Sequence, residues 1–115
     1  LVTAELARHS NAADLLVMDI MNYELVALME NTFREIGDEA LAKIMYDIRE
    51  YHPDVKDVAE MVKNEKVKRV ALTHYAPGAP FKSMMNRFYV KPIKDIYDGE
   101  LIAGGDGTVI TIPIN

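Results

Sequence analysis

Three side chains in the sequence carry atoms suited to acid–base chemistry or to metal binding. His74 ends the apolar run "VALTH", and a loop broken by proline follows it. Asp19 lies at the end of an earlier apolar run, "ADLLVMDI", and His52 directly precedes Pro53. In open α/β sheets, ligands bind at the carboxyl ends of the strands. His74 is therefore the strongest single candidate for a functional residue.

Each of these side chains also has a structural alternative. A lone histidine after a strand is more often a hydrogen-bonded structural residue than a ligand. His52, beside a helix N-terminus, can cap backbone N–H groups, and an aspartate such as Asp19 commonly caps the next helix. If the two apolar runs are neighbouring strands, Asp19 and His74 emerge at the same edge of the sheet. The carboxylate could there bind a metal or orient a histidine, and the residues alone leave these alternatives open.

The composition limits the kind of metal site that is available. The chain has no cysteine, so a tightly held metal must use His, Asp or Glu. Neither H-x-H nor H-E-x-x-H occurs, and one imidazole does not make a metal site. His9 lies near the predicted end of a helix and is assigned no role.

The bulk properties indicate one soluble unit. The chain has 115 residues, of which 50% are hydrophobic, and a formal net charge of -5. That charge repels a phosphate backbone, so nucleic acid is not an expected partner. No apolar run approaches the roughly 20 residues that cross a bilayer, and we expect a cytoplasmic protein without a membrane contact. A late basic cluster is expected to be a solvated face: Lys82, Arg87, Lys91 and Lys94.

The elements that position the candidate residues alternate between strand and helix. Continuous apolar runs predict buried strands over 13–20 and 67–74. Between them, helices are predicted from a cap at Asn22 to Gly37, from a cap at Asp38 to about Tyr51, and after His52, with Pro53 in the first turn. This order predicts an α/β fold in which helices pack on a mostly parallel sheet.

The last third of the chain is predicted to be a helix followed by a hairpin. Residues 81–97 are expected to be partly helical, with Pro92 breaking or restarting the helix. "ELIA", the turn "GGDG" and "TVITIP" then predict a terminal β-hairpin. "GGDGT" also resembles the phosphate loop of NAD kinases and diacylglycerol kinases. A helix follows the loop in those families, whereas a strand pattern follows here, so a nucleotide kinase is only a remote alternative.

Three ordered segments together resemble a known family. They are "ADLLVMDIMN", "YHPDVKDVAEMVKNEKVKRVALTHYAP" and "IYDGELIAGGDGTVITI". In this order they resemble the C-terminal part of metallo-β-lactamase-fold hydrolases, in the ribonuclease Z and arylsulfatase-like branch. The resemblance covers nearly the whole chain and implies the C-terminal half of an αββα sandwich. Residues 1–115 are then expected to be one unit, a half of a larger hydrolase domain.

The resemblance implies a role for each candidate residue. The histidine of "LTH" is a zinc ligand in that family, so His74 is expected to bind the second metal of a two-metal site. His52 matches a histidine that donates a proton or stabilises the transition state. Asp19 matches an acidic residue that orients this histidine, although the family often has His-Glu where this chain has Met18-Asp19.

The implied activity is zinc-dependent hydrolysis of a phosphodiester, a sulfate ester or a lactone, with Mn²⁺ or Fe as other possible metals. The main metal motif, H-x-H-x-D-H, is not in this chain, so an N-terminal half is the expected partner and the segment alone is expected to be inactive. The sequence after His74 reads Tyr-Ala-Pro-Gly instead of the Ser-x-Arg of the ribonuclease, which favours a small ester substrate.

The alternative is a non-catalytic α/β interaction module, and a homodimer is expected in either case.

Overall fold

Three parallel strands form the sheet in a computed structural model of the chain, which describes residues 2–113. They are β1 (Leu16–Met21), β2 (Arg69–Ala76) and β3 (Glu100–Ala103), in the spatial order β1-β2-β3. Parallel neighbours need long crossover connections, and helices occupy both connections. The predicted α/β class is confirmed.

The helices begin at polar caps that the sequence supplies. Asn22 and Asp38 accept hydrogen bonds from the backbone N–H groups of Leu25 and Leu41, as predicted. Gly37 adopts a φ of +82° between these two helices, a conformation that glycine reaches without strain. The helices are α1 (Ala4–Ser10), α2 (Tyr23–Glu35), α3 (Glu39–Asp47), α4 (Val55–Asn64), α5 (Lys82–Met85) and α6 (Lys91–Lys94).

The helix after His52 begins later than the sequence analysis predicts. Asp54 is its N-cap and accepts from the N–H of Lys56, and α4 begins at Val55. Pro53 therefore precedes the cap instead of lying in the first turn. A carboxylate is a strong cap, so the imidazole of His52 is not needed for this purpose and stays available for other contacts.

Pro92 explains an irregular turn late in the chain. A π-helical turn, Asn86–Val90, connects α5 to α6, and Pro92 lies in the first turn of α6. Because proline has no N–H, the carbonyl group four residues earlier, that of Phe88, loses its helical partner. The side-chain amide of Asn22 donates to this oxygen at 2.9 Å. The bond ties the segment to the end of β1.

The hydrophobic core lies on one face of the sheet. Met18 and Leu72 point into it from adjacent strands, and α4 and the segment around α6 cover it. Fully burying one such aliphatic side chain stabilises a fold by about 1.5–3 kcal/mol. Members of this core include Ile20, Val55, Val58, Ala59, Val62, Val70, Tyr89, Ile93 and Tyr97.

The opposite face of the sheet is open at β1, although Ala71 of β2 is buried on it. Val17 and Asp19 of β1 share this face with Ala71 and Thr73 of β2, because side chains alternate along a strand. Val17, on the edge strand β1, is 57% exposed. Parallel sheets are normally covered on both faces, so this face lacks the layer that usually packs there.

The predicted terminal hairpin is not observed in the part of the chain that the structure describes. β3 pairs in parallel with β2, and residues 104–113 contain a turn but no strand. The turn is closed locally, since the N–H of Gly105 donates to the hydroxyl of Thr108 at 3.0 Å. The chain then returns towards the start of β2, where Arg69 donates to the carbonyl oxygen of Thr111. The side chain of Arg69 therefore binds a carbonyl oxygen that would pair with the neighbouring strand in a hairpin.

No helix in residues 2–113 combines the length and the apolar character needed to cross a membrane.

Candidate functional site

Asp19, His52 and His74 converge at one place in the fold. One nitrogen or oxygen atom from each side chain lies within 4.8 Å of the corresponding atoms of the other two. These are the three residues that the sequence analysis selects. They come from β1, from the turn before α4 and from β2, and they lie towards the carboxyl ends of the two strands.

Asp19 and His52 form a direct hydrogen bond. The Nδ1 atom of His52 lies 2.8 Å from Oδ2 of Asp19, and the two side chains are 21% and 38% exposed, His52 being the more buried. A carboxylate accepts, so this contact assigns the hydrogen to Nδ1 and leaves Nε2 of the same ring free in the neutral imidazole. The capping alternative for both residues is therefore wrong, because Asp54 caps α4 and Asn22 caps α2.

Backbone contacts fix the turn that carries His52. The N–H of Met21 donates to the carbonyl oxygen of Pro53 at 2.9 Å, and Met21 and Asp54 form a single parallel bridge. These contacts attach the turn to the end of β1, two residues beyond Asp19. These backbone contacts help to hold the imidazole within reach of the carboxylate.

A β-bulge places His74 outside the regular pairing of the sheet. Asp19 pairs with Thr73 and Ile20 pairs with Tyr75, so His74 is the extra residue of β2. Its φ is +48°, in the left-handed region that residues other than glycine seldom adopt. In a regular strand, alternation would turn this side chain towards the core face. The bulge leaves His74 exposed instead.

The strand does not end at His74 as predicted, because β2 continues through the bulge to Ala76. The N–H of Asn22 donates to the carbonyl oxygen of Ala76 at 3.1 Å, which connects this end of β2 to the end of β1. The hydroxyl of Tyr75 lies 3.0 Å from the carbonyl oxygens of both Leu72 and Gly104. Burial raises the pKa of Tyr75, so the hydroxyl remains a donor at neutral pH.

Tyr89 supports the chain just beyond the bulge. Its buried hydroxyl donates to the carbonyl oxygen of Pro77, and its ring packs 5.2 Å from that of Tyr75. Ala76 and Pro77 are joined by a cis peptide bond. Neither tyrosine stands out in the sequence, since an aromatic residue near an apolar run is also the ordinary composition of a core.

The two histidine rings lie against each other. Their centroids are 5.4 Å apart and their planes are inclined by 27°. Within residues 2–113, the ring of His74 has no hydrogen-bonding partner. Its nitrogen atoms are therefore available to a ligand, and so is Nε2 of His52.

The donor set suits a borderline-soft divalent metal. Imidazole nitrogen with carboxylate oxygen is a usual combination for Zn²⁺, and for Mn²⁺ or Fe²⁺. A catalytic zinc ion commonly has three protein ligands and an open position. Because Asp19 already binds Nδ1 of His52, the arrangement also resembles the carboxylate–histidine pairs that orient ligands around metals.

The other candidate features lie apart from this group. His9 is on α1 and contacts Glu5 at 3.4 Å, and Lys91 of the basic cluster pairs with Asp95 at 2.8 Å. After the turn in "GGDGT", residues 109–113 form no helix, so a phosphate loop with a helix N-terminus is not formed in this described segment.

The chain matches no protein-family model, and no curated protein matches it significantly.

Proposed function

We propose that this chain is the C-terminal part of a metal-dependent hydrolase of the metallo-β-lactamase superfamily. The substrate is a phosphodiester, a sulfate ester or a lactone-like compound. The observation that supports the proposal best is the convergence of Asp19, His52 and His74 at one edge of a parallel sheet. The family resemblance assigns a role in one site to these same three residues, although they are far apart in the sequence.

His74 has the position of a metal ligand. It is exposed, its ring has no hydrogen-bonding partner in residues 2–113, and the bulge directs it away from the core. Strained backbone conformations concentrate at functional sites, and a structural histidine would not need one. Zinc held here would act as a Lewis acid and would lower the pKa of a coordinated water towards neutrality.

His52 has the position of a proton donor to the leaving group. Asp19 fixes the ring through Nδ1 and leaves Nε2 to face the substrate. The carboxylate also stabilises the positive charge of the ring when both nitrogen atoms carry protons. This pairing is the usual arrangement for a histidine that transfers protons, since its ring must keep one orientation throughout the reaction.

The open face of the sheet supports the existence of a second half. Asp19 lies on the same face as the exposed Val17, so a layer that covers this face would also border the site. In an αββα sandwich, that layer is the sheet of the N-terminal half, which would carry H-x-H-x-D-H. The ligands absent from this chain would then approach His74 from the uncovered side.

A second candidate function is a non-catalytic interaction module. The same open face could pair with a second copy of the chain or with another α/β partner, without any metal. This alternative predicts a stable homodimer whose mass does not change when a chelator is added. Light scattering of the chain with and without a chelator separates the two candidates.

The activity itself is tested on the complete protein with three chromogenic substrates. They are bis(p-nitrophenyl) phosphate, p-nitrophenyl sulfate and a lactone, each assayed before and after removal of metal by a chelator. The proposal expects hydrolysis of at least one substrate, loss of that activity with the chelator and recovery with zinc. His52→Gln should reduce the rate while His9→Gln, at an exposed position outside the site, should not. Activity that survives metal removal would refute the proposal.

A further inference from the structure

Tyr23 lies at the junction of the three segments that build the site. It is the first residue of α2, two residues after the end of β1. Its neighbour Met21 donates to Pro53 in the turn that carries His52, and Asn22 donates to Ala76 in the strand that carries His74. The segment 21–23 therefore connects both histidine-bearing segments to the strand of Asp19.

The hydroxyl of Tyr23 reaches the backbone of the histidine itself. It lies 2.9 Å from the carbonyl oxygen of His52 and 2.6 Å from that of Arg49. Within residues 2–113, this is the only hydrogen bond seen to the backbone of His52. The N–H of Tyr23 also donates to the carboxylate of Asp54 at 2.9 Å, so the residue binds the turn on both sides of Pro53.

We propose that Tyr23 is the positioning residue of His52. Its hydroxyl holds the 49–52 turn at the distance from β1 at which Nδ1 of His52 reaches Asp19. The inference rests on the proposed function for the role of His52 in proton transfer, but the geometric claim does not depend on catalysis. Functional side chains need support within about 0.5 Å of their productive geometry. The Met21–Pro53 bond and the Arg49–Glu30 pair hold the turn on either side of His52, and the hydroxyl of Tyr23 contacts His52 itself.

The surroundings of the hydroxyl agree with this role. Burial raises the pKa of Tyr23, and the nearby carboxylates of Asp54 and Asp57 raise it further. The hydroxyl therefore keeps its proton and remains a donor well above neutral pH. The neighbouring Tyr51 is 75% exposed and offers the turn little packing.

The test replaces Tyr23 by phenylalanine, which removes the donor and keeps the ring. The matched control is Tyr97→Phe, because Tyr97 likewise donates to a backbone carbonyl oxygen, that of Val67, at 2.5 Å before β2 begins. Tyr97 is buried and Tyr23 half-buried. Both variants should lose thermal stability. The readout is the ring tautomer of His52, measured by ¹⁵N NMR of the labelled histidines in the metal-free chain.

In the wild-type chain and in Tyr97→Phe, we expect His52 to carry its hydrogen on Nδ1. In Tyr23→Phe, we expect a substantial fraction of the Nε2–H form, because the contact with Asp19 loosens. A His52 spectrum in Tyr23→Phe identical to that of the wild type would overturn the proposal, and so would an equal change in Tyr97→Phe.

A second measurement uses the complete protein and separates this inference from the proposed function. There, Tyr23→Phe should lower kcat about tenfold, the scale of other supporting contacts, and leave KM and zinc content unchanged. If the complete protein has no hydrolase activity, the proposed function fails while the NMR result still decides the role of Tyr23. A lower zinc content with an unchanged kcat would contradict a positioning role.

Discussion

At the scale of single residues, the site depends on one strained histidine and one carboxylate. His74 has a left-handed backbone conformation that a glycine would adopt at little cost. Asp19 is partly exposed, and its hydrogen bond to His52 orients that ring. The backbone conformation of His74 costs stability, and this strain is one reason for proposing a functional role.

The strain at His74 predicts an unusual pair of stability changes. His74→Gly and His74→Ala both remove the imidazole, but only glycine relieves the backbone at a φ of +48°. We expect the glycine variant to be more stable than the alanine variant by about 1 kcal/mol, the cost of a left-handed conformation for a residue with a Cβ. Urea denaturation of this chain measures the difference. An alanine variant as stable as the glycine variant would show that the bulge carries no strain.

Replacing Asp19 should weaken activity without removing metal. In the complete protein, we expect Asp19→Asn to lower the rate about 10- to 100-fold, as is usual when a carboxylate that orients a histidine is lost. Zinc content should remain that of the wild type, because His74 is untouched. Asp14→Asn is the control, since Asp14 is an exposed carboxylate paired with Lys68. Equal rates for Asp19→Asn and the wild type would exclude the orienting role.

Asp19 and His74 could be predicted from the sequence because of their positions in it. Asp19 and His74 end apolar runs, and adjacent parallel strands bring their ends to one edge. The contact between His52 and Asp19 was predicted from the family resemblance, because no local sequence pattern connects residues 33 positions apart. The bulge could not be predicted, since no glycine or proline marks His74 and register is decided by the partner strand.

At the scale of elements, the end of β3 depends on one close approach between backbones. A Cβ on Gly104 would lie 2.6 Å from the carbonyl oxygen of Leu72 in β2. The N–H of Gly104 donates to that same oxygen at 2.9 Å. The junction of the two strands therefore has no room for a side chain.

Gly104→Ala should consequently destabilise the chain by about 1–3 kcal/mol, the typical cost of an overpacked site. Gly105→Ala is the matched control, because a Cβ on Gly105 would meet nothing within 4 Å and the φ of this residue is not left-handed. Denaturation midpoints of the two variants give the comparison. An equal loss of stability in Gly104→Ala and Gly105→Ala would contradict the close approach of the β2 and β3 backbones at Gly104.

The helices were more predictable than the tail for physical reasons. The helix starts are marked by the caps Asn22 and Asp38, and Gly37 marks the boundary between α2 and α3. Hydrogen bonds within a few residues are enough to fix these boundaries. The hairpin after β3 required a non-local strand pairing. Beyond Gly104, the described segment instead has a local bond in the turn, from Gly105 to Thr108, and one from Arg69 to Thr111. Strand pattern alone does not reveal which partner a segment will find.

At the scale of the whole molecule, the feature to be explained is the uncovered face of the sheet. One face packs on α4 and α6, whereas Val17 on the other is 57% exposed. The α/β class was predictable from the order of strands and helices. A further layer outside this chain is implied by the family resemblance and stays a prediction. Composition gives no sign of an open sheet face in a chain that is 50% hydrophobic.

An exposed apolar sheet face should cause the chain to self-associate in solution. We expect Val17→Lys to reduce this association, because it places a charge on the open face, at the edge strand β1. Leu28→Lys is the control, since Leu28 is 61% exposed on α2 and the charge change is the same. Light scattering over a range of concentrations measures both. Equal behaviour of the two variants would mean that the open face is not the contact surface.

His74 as a metal ligand is the central claim. The decisive measurement is the zinc content of the complete protein, determined by elemental analysis for the wild type, His74→Ala and His9→Ala. His9 is an exposed histidine that contacts Glu5 and Arg8 of α1. We expect His74→Ala to lose most of the bound zinc and the accompanying activity, while His9→Ala keeps both. Unchanged zinc stoichiometry in His74→Ala would contradict the claim.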